Sequence, residues 1–102
     1  MQPRTARDIA ERRAEVVRLI GSMRPSLRSA GFDSVDDLAQ EVLALILRYE
    51  ARGMRSRYDP ARGAWTTYVV RVTTSLLRDR AISHRVRDAA MARLREQMAS
   101  PN

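Results

Sequence analysis

The sequence predicts an all-α fold, a compact bundle of about four helices, and three observations lead there. Apolar residues recur at three- and four-residue spacing over long stretches, residues that start and stop helices stand at the ends of those stretches, and no segment alternates apolar with polar as a half-buried strand does. The chain of 102 residues is one domain long, and no composition break divides residues 1–102 into two cores.

From Thr5 to about Ile20, the apolar residues Ile9, Val16, Val17, Leu19 and Ile20 stand among many charges, which predicts an amphipathic helix ending near Gly21. Pro25 suits the first turn of a second, short helix running through Leu27 towards Gly31, where glycine suits the C-terminus. Ser34 is a good N-cap, with Asp37 three residues on in capping-box position and Asp36 adding negative charge at the positive end of the dipole. A helix follows from Val35 to about Arg52. Its stripe of Val35, Leu38, Val42, Leu45, Ile46 and Tyr49 faces a core, whereas Leu43 and Leu47 fall outside it and imply either a wider buried face or a surface for a partner.

Between Gly53 and Gly63 the chain reads GMRSRYDPARG, a loop with Arg55, Arg57 and Arg62 and an Asp-Pro turn signal. Ala64 to about Ser83 sets Trp65, Tyr68, Val69, Val72 and Leu76 at helical spacing, with Arg71, Thr74, Ser75 and Arg78 collected on the other side. Trp65 belongs to the core by this pattern. A last, weakly amphipathic helix is expected from about Arg85 to Met98 through Val86, Ala90 and Leu94, with residues 100–102 fraying.

Composition narrows the chemistry. With no cysteine, disulfide frameworks, thiolate metal sites and cysteine nucleophiles are excluded, and the single histidine, His84, rules out multi-imidazole zinc sites. The charged N-terminus has no apolar signal-peptide core, and no run approaches the roughly 18 apolar residues of a membrane span, so a soluble cytoplasmic protein without membrane contact is expected. All 19 basic residues are arginine, which forks onto phosphates and carboxylates. Residues 1–50 hold eight arginines against eight acids, while residues 51–102 hold eleven against four and so carry the whole net charge of +7. The second half is the natural nucleic-acid face.

No Walker or Rossmann glycine loop, His-Glu-x-x-His or nucleophile elbow is present, so no enzyme, cofactor or metal site is expected. Asp33, Asp36, Asp37 and Glu41 lie at a helix start, where capping and dipole complementarity explain them better than an EF-hand does.

Two motifs remain. DSVDDLAQEVLALILRY, residues 33–49, resembles a segment of region 2 of the sigma-70 family of bacterial RNA polymerase sigma factors, usually written Asp-Leu-Val-Gln-Glu-Val-Phe, through Asp37, Leu38, Gln40, Glu41, Val42 and Leu45. YDPARGAWTTYVVRVTTSLLRDR, residues 58–80, resembles the family's Phe-Asp-Pro-x-Arg-Gly-x-Phe-x-x-Trp pattern through Tyr58, Asp59, Pro60, Arg62, Gly63, Trp65 and Tyr68, then Arg71, Val72 and Asp79. Two motifs in the family's order are far more specific than either alone.

The resemblance implies a fold like sigma region 2 and two partners. Asp37, Leu38, Gln40, Glu41 and Leu45 would dock on the β′ clamp coiled coil of core RNA polymerase, an acidic face meeting arginines beside water-excluding apolar groups. Promoter DNA would be engaged by Arg55, Arg57, Tyr58, Arg62, Tyr68, Arg71, Ser75 and Arg78, with Tyr68 where the family stacks an aromatic on a base flipped from the minus-ten element. Flipping costs a few kcal/mol and stacking returns roughly 1 to 3 kcal/mol per base, so a held aromatic plus phosphate contacts suffice to trap a melted site. Two departures count. Thr74 and Ser75 replace the family's arginine-asparagine pair, and the chain after residue 80 supplies no region 4, so an extracytoplasmic-function-like or split factor is expected, with a separate region 4-like or activator protein reaching upstream DNA. The other readings are a polymerase-binding regulator or decoy that does not melt promoters, and a stand-alone helical DNA-binding module.

Overall fold

A computed structural model describes residues 11–99, and these are mostly helical with no strand among them. Three α-helices make the frame: α1 (Arg13–Ser22), α2 (Val35–Ala51) and α3 (Trp65–Ala99), joined through single 3-10 turns at Arg28–Ala30 and Pro60–Arg62. Residues 5–10 of the expected first helix lie outside the described residues.

The expected stop near Gly21 is close: α1 ends at Ser22, and Arg24 then takes a positive φ of 49°. The short helix expected from Pro25 is one 3-10 turn, closed by Gly31 in the left-handed region at φ 80°. A Cβ on Gly31 would overlap the His84 imidazole, so glycine serves both the backbone turn and the approach of α3. Ser34 caps α2 as its sequence predicts, its Oγ accepting from the Asp37 N–H at 3.2 Å.

One expectation is corrected. The segments 64–83 and 85–98 are one unbroken helix, so the described residues hold three α-helices rather than about four. The junction, Ile82-Ser83-His84-Arg85, contains no glycine or proline, and a helix without a breaker continues. At 1.5 Å per residue α3 is about 52 Å long. The radius of gyration is 17.3 Å, against about 13 Å for a compact chain of this size, because the C-terminal part of α3 projects from the bundle.

The core lies where α1, α2 and the first half of α3 meet. Val16 and Ile20 come from α1, Leu38, Ala39, Val42, Leu43 and Ile46 from α2, and Trp65, Val69, Val72 and Thr73 from α3. Leu43 is therefore core, and Leu47 is partly buried against it, which decides for the wide buried face on α2. Thr73 is fully buried because its hydroxyl donates to the Val69 carbonyl at 2.7 Å, leaving no polar atom of the side chain unsatisfied. Beyond His84, α3 touches nothing that shields it: every residue from Arg85 to Ala99 is exposed.

The sealed core and the projecting part of α3 should respond differently to truncation. Ile46→Ala, in the sealed core, is expected to lower stability by about 2 to 5 kcal/mol, a large part of a small domain's total. Leu94→Ala, on the projecting part, should stay within about 0.5 kcal/mol of the parent. Urea denaturation followed by circular dichroism checks both. Equal losses would mean that the distal part of α3 is packed.

Candidate nucleic-acid interface

The loop from Gly53 to Gly63 is held onto α3 by aromatic rings. Tyr58 meets Trp65 edge-on at 5.2 Å between centroids, Tyr58 and Tyr68 are 5.3 Å apart and tilted, and Trp65 and Tyr68 stack at 5.9 Å. Such contacts add roughly 0.5 to 1.5 kcal/mol per pair beyond area burial. Two hydrogen bonds fix the same loop: the Tyr68 hydroxyl donates to the Ser56 carbonyl at 2.6 Å, and the Tyr58 hydroxyl to the Gly63 carbonyl at 3.4 Å. Asp59 starts the following 3-10 turn by accepting from the Ala61 N–H at 3.0 Å, and Arg57 folds back onto the carbonyls of Gly53 and Met54 at 2.9 and 3.0 Å.

These contacts sort the DNA-facing set expected from sequence. Tyr58 is buried at 8% exposure, so it supports the loop from beneath and does not present its ring outward. Tyr68 is half-buried, and Arg57, although exposed, is engaged with backbone carbonyls. Arg62 lies 3.7 Å from Asp59 as an exposed pair, which contributes little. Arg55, Arg71, Ser75 and Arg78 are exposed. Thr74 donates its hydroxyl to the Val70 carbonyl at 2.8 Å, leaving Ser75 the more available of the pair that departs from the sigma pattern. Because α3 is continuous, Arg85 falls in line with Arg71 and Arg78 at seven-residue spacing, an alignment hidden by the expected break between two helices.

Tyr68, Arg71, Thr67, Arg62 and Gly63 line a cleft of about 60 Å³. The cleft is small and half open, so in this conformation it receives the edge of a group and does not enclose a base. Burial, with Tyr49 and Glu50 as negative neighbours, raises the Tyr68 hydroxyl to about 12, and burial also raises Tyr58. Both phenols are therefore neutral donors in ordinary buffers and do not repel a phosphate.

A second surface lies on α2. Asp33, Asp37, Gln40, Glu41 and Ala44, with Phe32, line an open groove of about 430 Å³. Asp37 and Gln40 are exposed there. Leu38, expected on this docking face, is fully buried and points into the core instead, while Leu45 is half-buried against it. Glu41 is half-buried and bridges to α3: Arg80 Nη2 donates to Glu41 Oε1 at 2.7 Å, while Glu41 Oε2 is shielded and has no hydrogen-bond partner among the described residues. Next to Gln40 a mainly apolar groove of about 250 Å³ is lined by Leu43, Ala44 and Leu47. Ala44 was absent from the expected docking set because that set was carried over from the matching motif positions, whereas Leu47 already stood out in the sequence as lying off the apolar stripe.

The chain matches no protein-family model, no curated protein and no solved structure. No helix among the described residues is long and apolar enough to cross a membrane.

Since the raised Tyr68 pKa means that the folded state disfavours its ionised form, stability from this group is whole below the unfolded value of about 10 and is lost as pH rises through about 12. Tyr68→Phe should therefore weaken the alkaline decline in stability, read as urea midpoints between pH about 9 and about 12. Arginines do not titrate in that window and leave the comparison clean. Identical pH profiles would show that the Tyr68 hydroxyl does not sense folding.

Proposed function

We propose that this protein acts in transcription initiation: it binds core RNA polymerase at the β′ clamp coiled coil through Asp37, Gln40 and Glu41 on α2, and engages minus-ten-like promoter DNA through the loop and helix from Tyr58 to Arg80. A separate region 4-like or activator protein supplies the upstream promoter contact. The observation that carries this reading is the pairing, on one short chain, of an acidic groove on α2 with an exposed arginine row on α3 backed by the Tyr58, Trp65 and Tyr68 rings. The order of the two motifs and their resemblance to sigma region 2 support it.

The groove on α2 suits an arginine-bearing partner helix. Glu41 Oε2 has no donor among the described residues, and a turn of the side chain that uncovers it would let a guanidinium pair with it, with Ala44 and Leu47 beside it excluding water. On α3, Arg71 and Arg78 meet phosphates, and Tyr68 supplies the ring on which a base can stack. Stacking requires the Tyr68 hydroxyl to release the Ser56 carbonyl and the 60 Å³ cleft to widen. That requirement favours one second reading, a polymerase-binding regulator that does not melt promoters, in which the tyrosine stays on its loop. Thr74 and Ser75 in place of the arginine-asparagine pair point the same way.

Gln40→Ala/Glu41→Ala should abolish co-purification with core polymerase. Arg80→Ala breaks the same Glu41 ion pair but leaves the groove in place, and should keep it. Retention by the double variant would rule out docking at this groove. Removing Arg71 or Arg78 should weaken DNA binding evenly across sequences and lower the salt slope by about one each. Permanganate reactivity of promoter thymines, with polymerase and the upstream factor present, then separates the two readings. Opening that is lost in Tyr68→Ala supports base capture, and no opening with the parent protein supports the regulator.

A further inference from the structure

The core-facing line of α3 does not end where the bundle ends. Trp65, Val69, Val72 and Leu76 lie on it inside the bundle, and Arg80, His84, Arg87, Met91, Leu94 and Met98 continue it at three- and four-residue steps. The outer six fall into two parts. Arg80, His84 and Arg87, with Ser83, line a cleft of about 230 Å³, and Met91, Leu94 and Met98 form an apolar strip exposed at 45%, 47% and 78%. Ile82 and Val86 are also exposed but off this line.

From His84 to Met98 the steps alternate three and four, the spacing of a helix that packs along another helix. In the cleft Arg80 is paired with Glu41, while Arg87 makes no ion pair among the described residues. The imidazole of His84 is seated over Gly31, where no Cβ intervenes, so the cleft stands in a set position at the root of the projecting helix.

We propose that this face of α3 receives an amphipathic helix of a partner protein, apolar where it meets Met91, Leu94 and Met98 and acidic where it meets His84 and Arg87. Charge selects this occupant over a second copy of the chain. Residues 85–99 carry Arg85, Arg87, Arg93 and Arg95 against Asp88 and Glu96, and the whole chain is +7, so two copies would bring like charges together. Area limits the contact whatever the partner: one face of this four-turn projection, about 22 Å by 10 Å, falls well short of the roughly 800 Å² per partner of a standard stable interface. An acidic helix adds the cationic cleft to the apolar strip, giving a modest, salt-sensitive contact. This inference stands apart from the polymerase and promoter reading and holds or fails without it.

The test uses the full chain and a fluorescent helical peptide whose seam reads Leu, Leu, Leu, Glu, Glu at three-four spacing, compared with the same peptide bearing Lys for each Glu. The acidic peptide is expected to bind at least tenfold more tightly, by anisotropy, and to weaken as salt rises. Leu94→Asp and Arg87→Glu should each reduce that binding tenfold or more while circular dichroism stays that of the parent, since both positions are exposed. Equal binding of the two peptides, binding untouched by Leu94→Asp, or no binding would overturn the proposal. So would concentration-dependent dimerisation lost in Leu94→Asp, which assigns the strip to a second copy. Competition by duplex DNA with Leu94→Asp silent would reduce the cleft to a polyanion contact and overturn it as well.

Discussion

Everything placed in space here depends on the first half of α3 burying Trp65, Val69, Val72 and Thr73 against α1 and α2. That packing fixes the axis of a helix about 52 Å long, of which the bundle covers only part. It also sets Trp65 under the loop, where Tyr58 and Tyr68 close on it, so the arginine-bearing segment takes its shape from the core. A small domain has few such contacts to spare, and one helix serving as core element, loop anchor and projecting arm concentrates several roles on one packing event.

The same economy appears on α2. Its inward face is broad, running from Leu38 through Val42 and Leu43 to Ile46, while Asp37, Gln40 and Glu41 stay on the rim of an open groove. Glu41 belongs to both surfaces, since one carboxylate oxygen meets Arg80 from α3 and the other faces no donor among the described residues. The exposed ion pair itself contributes little energy. Its consequence is positional: it ties the acidic groove to the helix that bears the basic row.

Much of this was legible from residue order. The Ser34 cap, the turn at Asp59-Pro60, the glycine at the end of the first connection and the core placement of Trp65 all follow from local chemistry that acts within a few residues. What escaped was of another kind. Leu43 lies off the periodic stripe, yet α1 packs widely enough to bury it. Tyr58 sits in a basic loop and reads as a surface residue, but two rings at the first and fourth positions of α3 draw it inward. Leu38 matches a docking motif and is nonetheless sealed, because a motif records residue type and not the direction in which a side chain points.

The sequence by itself determined the all-α class, the starts of α2 and α3 and the division of charge between halves, since periodicity, capping and net charge are local or additive properties. Only the tertiary structure decided that Leu38 and Tyr58 are buried, that Glu41 reaches Arg80 across 39 residues, and that Met91, Leu94 and Met98 are left uncovered. Those outcomes depend on how far the neighbouring helices extend, and a helix carries its apolar line onward whether or not anything lies beside it.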